Sequence, residues 1–498
     1  MIFLTHSLLK RTSIPEIVVC YYGTWATYRS GNGKFDVSNI DTSLCTHVVY
    51  TFVGIDNDGY VISLDPYLDL PDNWGRDNFG AFNALKEKNA NLKTILAVGG
   101  WNEGSAKYST MAASPTLRKN FITSAKQMLL THGFDGLDVD WEYPSQRDST
   151  HGSADVNNFS VLLKELREEF DKNGLMITVA VAAVKQSASR SYDIATMSQY
   201  VDIVSIMAYD MYGAWDAVTG HNAPLHKGEG DENLSKDDVY SVDVTLDYWL
   251  SQGCPPSKLV LGLPLYGRTF TLTNANVNGV RAPASGAGIA GQFTVTNGLI
   301  GYNEFCKRLQ TETWDVRYDS LAKVPYAVQG RNWVSYDDPN SLTQKVEYAM
   351  NLGIAGAMVW SIETDDFHGI CGEKFALLKA INSALDGSAA TESPSASTTA
   401  ASTTAFTTIS STSTIGVTVP VTSTTTTTTT ESSHSSTPSS SVCTQEGLTS
   451  NPDDCSSFFM CIRGTDGTLE PKLFNCPDTL LWDNTYKLCN YEDLVQCA

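Results

Sequence analysis

Short apolar segments alternate with longer amphipathic stretches along the first three-quarters of this 498-residue chain. This alternation is typical of βα units around a parallel sheet, because parallel strands need long crossover connections that are usually helices. The eight strand candidates are residues 17–22, 47–52, 94–98, 136–141, 176–182, 203–207, 259–263 and 355–360. The pattern predicts an α/β fold, a (β/α)8 barrel that spans residues 17–386.

Two connections sharpen this prediction. Ser114 and Pro115 are typical of a helix N-cap and first turn, and Gly133 is typical of a C-terminal cap, so a helix should lie between them. The seventh and eighth strand candidates are separated by residues 264–354, too many for one crossover helix. We therefore expect a small α+β insertion at about 269–345, on the face where a groove would deepen.

Three acids occur at two-residue spacing in the segment FDGLDVDWEYP, namely Asp138, Asp140 and Glu142. Successive side chains of a strand alternate faces, so these acids should point the same way, about 6.6 Å apart. Like charges at this spacing cannot all ionise cheaply, so at least one proton should be retained near neutral pH. We expect the outermost acid, Glu142, to be the proton donor of an active site.

The acids could instead form a solvated strand face or a divalent-cation site. The intervening residues Leu137, Val139 and Trp141 are apolar, which disfavours a strand that faces solvent. We therefore expect no metal and no other cofactor.

The acid segment resembles the signature DxxDxDxE of the glycoside hydrolase family 18 chitinases, with Asp135, Asp138, Asp140 and Glu142 at its fixed positions. The resemblance covers about residues 17–386 and extends to six further segments. These are CYYGTWATY (20–28), CTHVVYTF (45–52), LAVGGWNEG (96–104), MAYDMYGAW (207–215), GLPLYGR (262–268) and GAMVWSIETDDF (356–367).

This resemblance implies hydrolysis of β-1,4 linkages in chitin by a retaining mechanism, with Glu142 as the acid and later the base. An ordinary retaining enzyme needs a second carboxylate about 5 to 5.5 Å away, across the sugar, and the sequence offers no clear candidate. The family's mechanism is substrate-assisted: Asp140 would orient the substrate's acetamido group, Asp138 would share a proton with Asp140, and Tyr209 would hold the acetamido oxygen.

Aromatic and polar residues follow most of the predicted strands, where a barrel places its active site. Each aromatic alone could instead fill the core, but together they favour a groove that stacks sugar rings. The resemblance further implies that Asp210 lines the reacting subsite and that Trp360 forms its floor. The predicted groove residues are Tyr21, Trp25, Phe52, Trp101, Asn102, Tyr143, Met207, Asp210, Trp215, Tyr266, Arg268 and Trp360.

A second unit follows a change of composition. Residues 387–442 are rich in Ser and Thr, so we expect a disordered linker, either O-glycosylated or a bare spacer. Six of the eleven cysteines then lie between Cys443 and Cys497, which indicates a small disulfide-rich β domain at 443–498 and an oxidising compartment.

The tail is similar to the peritrophin-type chitin-binding domain, although the gap between its first two cysteines is short. This resemblance favours Trp482 and Tyr491 as chitin contacts, and the resemblance of the front region to the family 18 chitinases leaves Cys254 free. Spacing alone permits fifteen connectivities for six cysteines. The pairs that the resemblance implies in the whole chain are Cys20–Cys45, Cys306–Cys371, Cys443–Cys461, Cys455–Cys497 and Cys476–Cys489.

A formal net charge of −21 disfavours nucleic acid and anionic membranes as partners. The segment 1–16 is unassigned: its apolar run precedes Lys10 and Arg11, which is not typical of a signal peptide. We infer secretion from the cysteines and the linker. The sequence predicts a monomeric, endo-acting or partly processive chitinase that binds chitin and N-acetylglucosamine oligosaccharides.

Two non-catalytic alternatives remain, a lectin-like protein and a structural protein of a chitin matrix. Lectin-like members of the family usually lack the acid at the position of Glu142, and this chain keeps it. A de-N-glycosylating enzyme on the same fold is a further alternative, which the chitin-binding tail disfavours.

Overall fold

The computed structural model describes residues 16–387, 443, 447–463, 468–476, 480–483, 488–491 and 495. The chain divides into two compact units, Met1–Ala396 and Ser397–Ala498. The predicted segment 1–16, apart from residue 16, and the predicted linker, apart from residue 387, lie outside the described residues.

Eight parallel strands close into a barrel in the first unit, which confirms the predicted fold. Closure is complete because the first strand pairs with both the second and the eighth. Barrel strands 1 to 8 are, in order, Ile17–Gly23, His47–Ile55, Lys93–Gly99, Gly136–Asp140, Met176–Ala182, Ile203–Met207, Leu259–Pro264 and Gly356–Trp360.

Helices connect these strands. The predicted helix is Pro115–His132: the side chain of Ser114 accepts from the N–H of Leu117 at 3.4 Å, and Gly133 ends the helix with φ +83°. The other helices are Pro66–Asp69, Asn78–Asn83, Ala106–Ala113, Ala154–Phe170, Lys185–Ser191, Ile194–Tyr200, Val242–Ser251, Pro339–Asn351 and Ala376–Leu385.

An antiparallel sheet and a helix, Tyr302–Thr311, form the insertion between barrel strands 7 and 8. The sheet begins at Tyr266 and ends at Ser335, whereas the sequence placed the insertion at about 269–345. The apolar run from strand 7 continues straight into the first sheet strand, so composition does not mark the boundary. The sheet strands are Tyr266–Leu272, Ala284–Ala287, Leu299–Gly301, Asp315–Asp319, Val324–Gln329 and Asn332–Ser335.

The barrel has two apolar layers, as the alternation of side chains along each strand requires. On strand 1, Val18 and Tyr22 pack outward in the large cluster that includes the helices. Val19 and Tyr21 belong to a separate interior cluster. Because Asp138 is in register with Ala97 of that interior cluster, the acids of strand 4 project into the barrel.

The second unit contains a three-stranded antiparallel sheet, Gly447–Ser450, Ser457–Arg463 and Leu469–Asn475. A separate hairpin pairs Leu480–Asp483 with Leu488–Tyr491. The unit is therefore all-β in its described part.

Three disulfides have the pairs that the resemblance implies: Cys20–Cys45, Cys306–Cys371 and Cys443–Cys461. Cys254 is a buried free thiol. Cys455 and Cys476 are also disulfide-bonded, but their predicted partners, Cys497 and Cys489, lie outside the described side chains. Among the described helices, none combines the length and apolarity needed to cross a membrane.

Candidate active site

Asp138 is fully buried inside the barrel and has two hydrogen-bond donors. The hydroxyl of Tyr21, on strand 1, donates to Oδ2 at 2.8 Å, and the hydroxyl of Thr178, on strand 5, donates to Oδ1 at 2.5 Å. Burial raises the pKa of Asp138 to about 6, although both hydrogen bonds favour its charged form. The two donors thus hold this carboxyl group rigidly.

Asp140 is 3% exposed, and its Oδ1 has no hydrogen-bond partner among the described residues. Burial, and then the negative charges of Glu142 and Asp138, raise the pKa of Asp140 well above its usual range. A buried polar atom without a partner is costly, so this oxygen is positioned to bind a polar group of a ligand.

Glu142 lies two residues beyond the end of strand 4, because the strand stops at Asp140 rather than at Trp141 as predicted. Burial, and then repulsion from Asp210, raise the pKa of Glu142 to about 7, against the attraction of Arg147 and a hydrogen bond with Tyr143. The group can therefore donate a proton near neutral pH.

The loop around Glu142 is fixed by its backbone contacts. The guanidinium of Arg147 donates to the carbonyl oxygens of Glu142 at 3.0 Å and Trp101 at 2.8 Å. The N–H of Gly100 donates to the carbonyl oxygen of Asp140 at 2.8 Å. Gly99 has φ +116°, and a Cβ there would lie 2.2 Å from that same oxygen, so strands 3 and 4 meet only with glycine at this position.

The remaining positions of the acid segment have structural roles. Leu137, Val139 and Trp141 are buried in the outer core, and the indole N–H of Trp141 donates to the Ser105 hydroxyl at 2.6 Å. Asp135 accepts a hydrogen bond from Lys86 at 3.0 Å, at the opposite end of strand 4. The segment is therefore not a solvated strand face.

A second acid, Asp210, follows strand 6 and holds two partners. The Tyr266 hydroxyl donates to Asp210 Oδ1 at 2.6 Å, and Arg268 Nε donates to the same oxygen at 2.7 Å. Tyr209 packs edge-on against Tyr266, with ring centroids 6.1 Å apart, and its hydroxyl contacts Met358 Sδ at 3.8 Å. The loop after strand 6 and the first strand of the insertion sheet thus form one polar wall.

Aromatic rings from strands 1, 2 and 8 form a cluster. Phe52 and Trp360 are stacked with centroids 5.9 Å apart, and Trp25 stacks on Phe52 at 6.4 Å. Tyr21 contacts Trp360 at 5.7 Å and also binds Asp138, so the cluster adjoins the acids. Trp25 is 42% exposed, which leaves part of its surface free for a sugar.

Two further tryptophans are open to solvent. Trp101 is 58% exposed and Trp215 is 60% exposed. The guanidinium of Arg147 lies 3.9 Å from the centroid of Trp101, and that of Arg268 lies 5.0 Å from the centroid of Trp215. Each cation orients an exposed indole.

The other predicted groove residues are placed as follows. Asn102 is exposed in the loop after strand 3. Met207 packs on the barrel interior, whereas Tyr143 packs on the outer core beside Glu142.

Two residues of the site, Thr178 and Arg147, were not predicted from the sequence. Thr178 is the one polar residue in the apolar strand MITVAVA, which is a usable signal. Nothing in the sequence distinguishes Arg147 from the rest of its loop.

In the tail, the structure buries Trp482 rather than exposing it. Trp482 is 5% exposed and stacks on Phe458 with centroids 4.1 Å apart. Phe458 stacks in turn on Phe474 at 5.7 Å, and Phe474 is 42% exposed. The small domain uses the indole as core, so Trp482 does not present the open sugar contact that we expected; the side chain of Tyr491 lies outside the described part.

Family models match both parts of the chain. Residues 17–365 match the glycosyl hydrolases family 18, and residues 443–497 match the chitin binding Peritrophin-A domain. Probable chitinase 2 of Drosophila melanogaster is 45% identical over 367 residues, which cover 72% of this chain and 73% of that protein.

Two solved structures are also similar. The Ostrinia furnacalis Group IV chitinase in complex with allosamidin has 56% identity and a TM-score of 0.74, over 75% of this chain and 100% of that one. Human YKL-39, a pseudo-chitinase with retained chitooligosaccharide binding properties, has 37% identity and a TM-score of 0.68, over 74% of this chain and 100% of that one. This chain therefore belongs to the glycosyl hydrolases family 18, as a chitinase-type enzyme that also carries a Peritrophin-A domain.

Proposed function

We propose that this protein hydrolyses the β-1,4 linkages of chitin by a retaining, substrate-assisted mechanism. The single observation that carries the proposal is the buried acid group, in which Asp140 Oδ1 has no partner in the described part of the chain while Glu142 keeps a proton near neutral pH. Such an arrangement serves a substrate that brings a hydrogen-bond donor to Asp140 and a leaving oxygen to Glu142.

In the first step, Glu142 protonates the glycosidic oxygen as the bond breaks. The acetamido oxygen of the same sugar attacks the anomeric carbon, so no protein carboxylate is needed as the nucleophile. Glu142, now a carboxylate, then removes a proton from water, and that water opens the cyclic intermediate with retention of configuration.

Asp140 accepts a hydrogen bond from the acetamido N–H, which orients the group for attack and stabilises the positive charge that it gains. The acid pair shares one proton: Tyr21 and Thr178 stabilise charge on Asp138, so Asp140 holds the proton in the free protein. Transfer of this proton to Asp138 frees Asp140 to accept from the substrate.

The walls of the site support binding of the reacting sugar. The hydroxyl of Tyr209 holds the acetamido oxygen, and Asp210, fixed by Tyr266 and Arg268, lines the subsite. Trp360 forms the floor, within the stacked cluster of Phe52 and Trp25. Aromatic faces suit the apolar faces of pyranose rings.

The second unit anchors the enzyme to insoluble chitin, as the match to a chitin-binding family supports. We place one contact at Phe474, the exposed end of the ring stack that Trp482 closes on the buried side. The disulfides support secretion, since such bonds persist in oxidising compartments.

Human YKL-39 shows that this fold can bind chitooligosaccharides as a pseudo-chitinase. The presence of Asp138, Asp140 and Glu142, each with a raised pKa, favours an active enzyme instead. We expect this chain to turn over its substrate.

Replacement of Glu142 tests the proposal. Glu142→Gln keeps the shape and loses the transferable proton, so hydrolysis of a soluble chitin oligomer should fall by about 10²- to 10⁴-fold or more, while oligomer binding persists. Glu168→Gln, the same change at an exposed helix position, is the control and should keep the wild-type rate. A tenth of the wild-type rate in Glu142→Gln would refute the assignment of the acid.

A further inference from the structure

A buried asparagine joins the loop after barrel strand 6 to the insertion sheet. Asn222 is 1% exposed, and each of its four polar atoms has a partner. Its side chain accepts from the N–H of Asp210 at 2.9 Å and donates to the carbonyl oxygen of Tyr266 at 3.1 Å. Its backbone N–H donates to the Ser335 hydroxyl at 2.8 Å, and its carbonyl accepts from the N–H of Met211 at 3.0 Å.

The first of these contacts acts on an unfavourable backbone conformation. Asp210 has φ +57°, in the left-handed region that residues other than glycine rarely adopt. Such a conformation persists only where surrounding contacts stabilise it. The amide oxygen of Asn222 supplies one of these contacts directly, at the N–H of Asp210 itself.

The second contact fixes the partner of the same carboxylate. Tyr266 donates its hydroxyl to Asp210 Oδ1, and its own carbonyl is held by Asn222. One side chain therefore ties the backbone of the acid to the backbone of the tyrosine that binds this acid. Because Asp210 and Tyr266 come from different connections of the barrel, their separation depends on such a bridge.

We propose that Asn222 is a positioning residue for the reacting subsite, which fixes the Asp210 carboxylate and its Tyr266 partner without touching the sugar. All four of its polar atoms are bonded within the protein, so Asn222 acts on the sugar through Asp210. The inference rests on the proposed chitin hydrolysis. It states that this reaction depends on Asn222, a residue outside the acid segment.

A double-mutant cycle tests the inference, with kcat and KM measured on a soluble chitin oligomer for the full chain. Asn222→Ala should lower kcat about tenfold or more, since small misplacements at a reacting site are costly. In an Asp210→Ala background the same change should cost less than about twofold, because the group that it positions is gone. Equal losses in both backgrounds would overturn the inference, since Asn222 would then act independently of Asp210.

Ser335→Ala is the matched control. It removes one hydrogen bond to the backbone of Asn222 and leaves both side-chain bonds, so kcat should stay within about twofold of wild type even where the melting temperature falls. A loss of kcat in this variant as large as in Asn222→Ala would also overturn the inference, since general destabilisation would explain both.

If Asn222→Ala does not fold, Asn222→Asp replaces it in the cycle. This variant keeps an acceptor for the Asp210 N–H and loses the donor to Tyr266. The same non-additivity with Asp210→Ala is expected, and additivity would again overturn the inference. A wild-type chain that does not hydrolyse the oligomer would instead reject the proposed function, so the two failures are distinguishable.

Discussion

The barrel and the tail solve the same problem of stability by different means. The barrel sheet encloses an interior apolar cluster and packs its outer face on a second one with the helices, and many of its large side chains are fully buried. The tail has a three-stranded sheet and a hairpin, and few of its described side chains, among them Phe459 and Trp482, are buried. A domain this small cannot bury enough apolar surface alone, so its disulfides must supply the difference.

The two regions also use aromatic residues differently. In the barrel unit, Trp101 and Trp215 follow strands and are more than half exposed, because the surrounding core is already complete. In the tail, Trp482 is buried in the core of the small domain, and Phe474 is exposed at the surface instead. The position of an aromatic in a binding domain therefore depends on how much core the domain has.

Reduction of the disulfides should produce the largest difference in behaviour between the barrel and the tail. Each bridge contributes roughly 2 to 4 kcal/mol to the free energy of unfolding. Loss of this contribution should unfold the tail and leave the barrel folded. Under mild reductant the protein should lose adsorption to chitin beads and still hydrolyse a soluble chitin oligomer. Adsorption that survives complete reduction, verified by the mass shift after alkylation, would contradict the comparison.

A change of pH should affect the barrel and spare the tail. Glu142 donates only when it is protonated, and its pKa is about 7, so kcat/KM on a soluble oligomer should fall about tenfold per pH unit above that value. Bead adsorption over the same range should change by less than about twofold. A rate that stays constant to pH 9 would show that another group is the acid.

Replacement of Phe474 should produce the smallest effect. Phe474→Ala removes the exposed ring of the tail stack and should weaken adsorption to chitin beads by about three- to tenfold, since one aromatic contact is worth about 0.5 to 1.5 kcal/mol. Leu473→Ala, at an exposed neighbour on the opposite face of the same strand, is the control and should adsorb normally. Equal adsorption of both variants would place the chitin contact elsewhere.

Periodicity predicted the barrel strands to within a few residues, because alternating apolar runs leave a direct trace in the sequence. It placed the end of strand 4 at Trp141 rather than at Asp140, and the start of the insertion at about 269 rather than at Tyr266, since neither boundary changes the composition. Thr178 and Asn222 act through neighbours that are distant in the chain, and only the fold brings these together. Burial of Trp482 was missed because a ring stack depends on which side chains share a face.

The central claim is that the substrate's own acetamido group is the nucleophile, and the rate on deacetylated substrate tests it most directly. Hydrolysis is to be measured with fully acetylated and fully deacetylated oligomers of equal length, both at saturating concentration so that weaker binding does not enter. We expect rapid cleavage of the acetylated oligomer and a rate at least about a thousandfold lower for the deacetylated one, which lacks the attacking oxygen. Comparable rates on the two would contradict the mechanism and require a nucleophile from the protein.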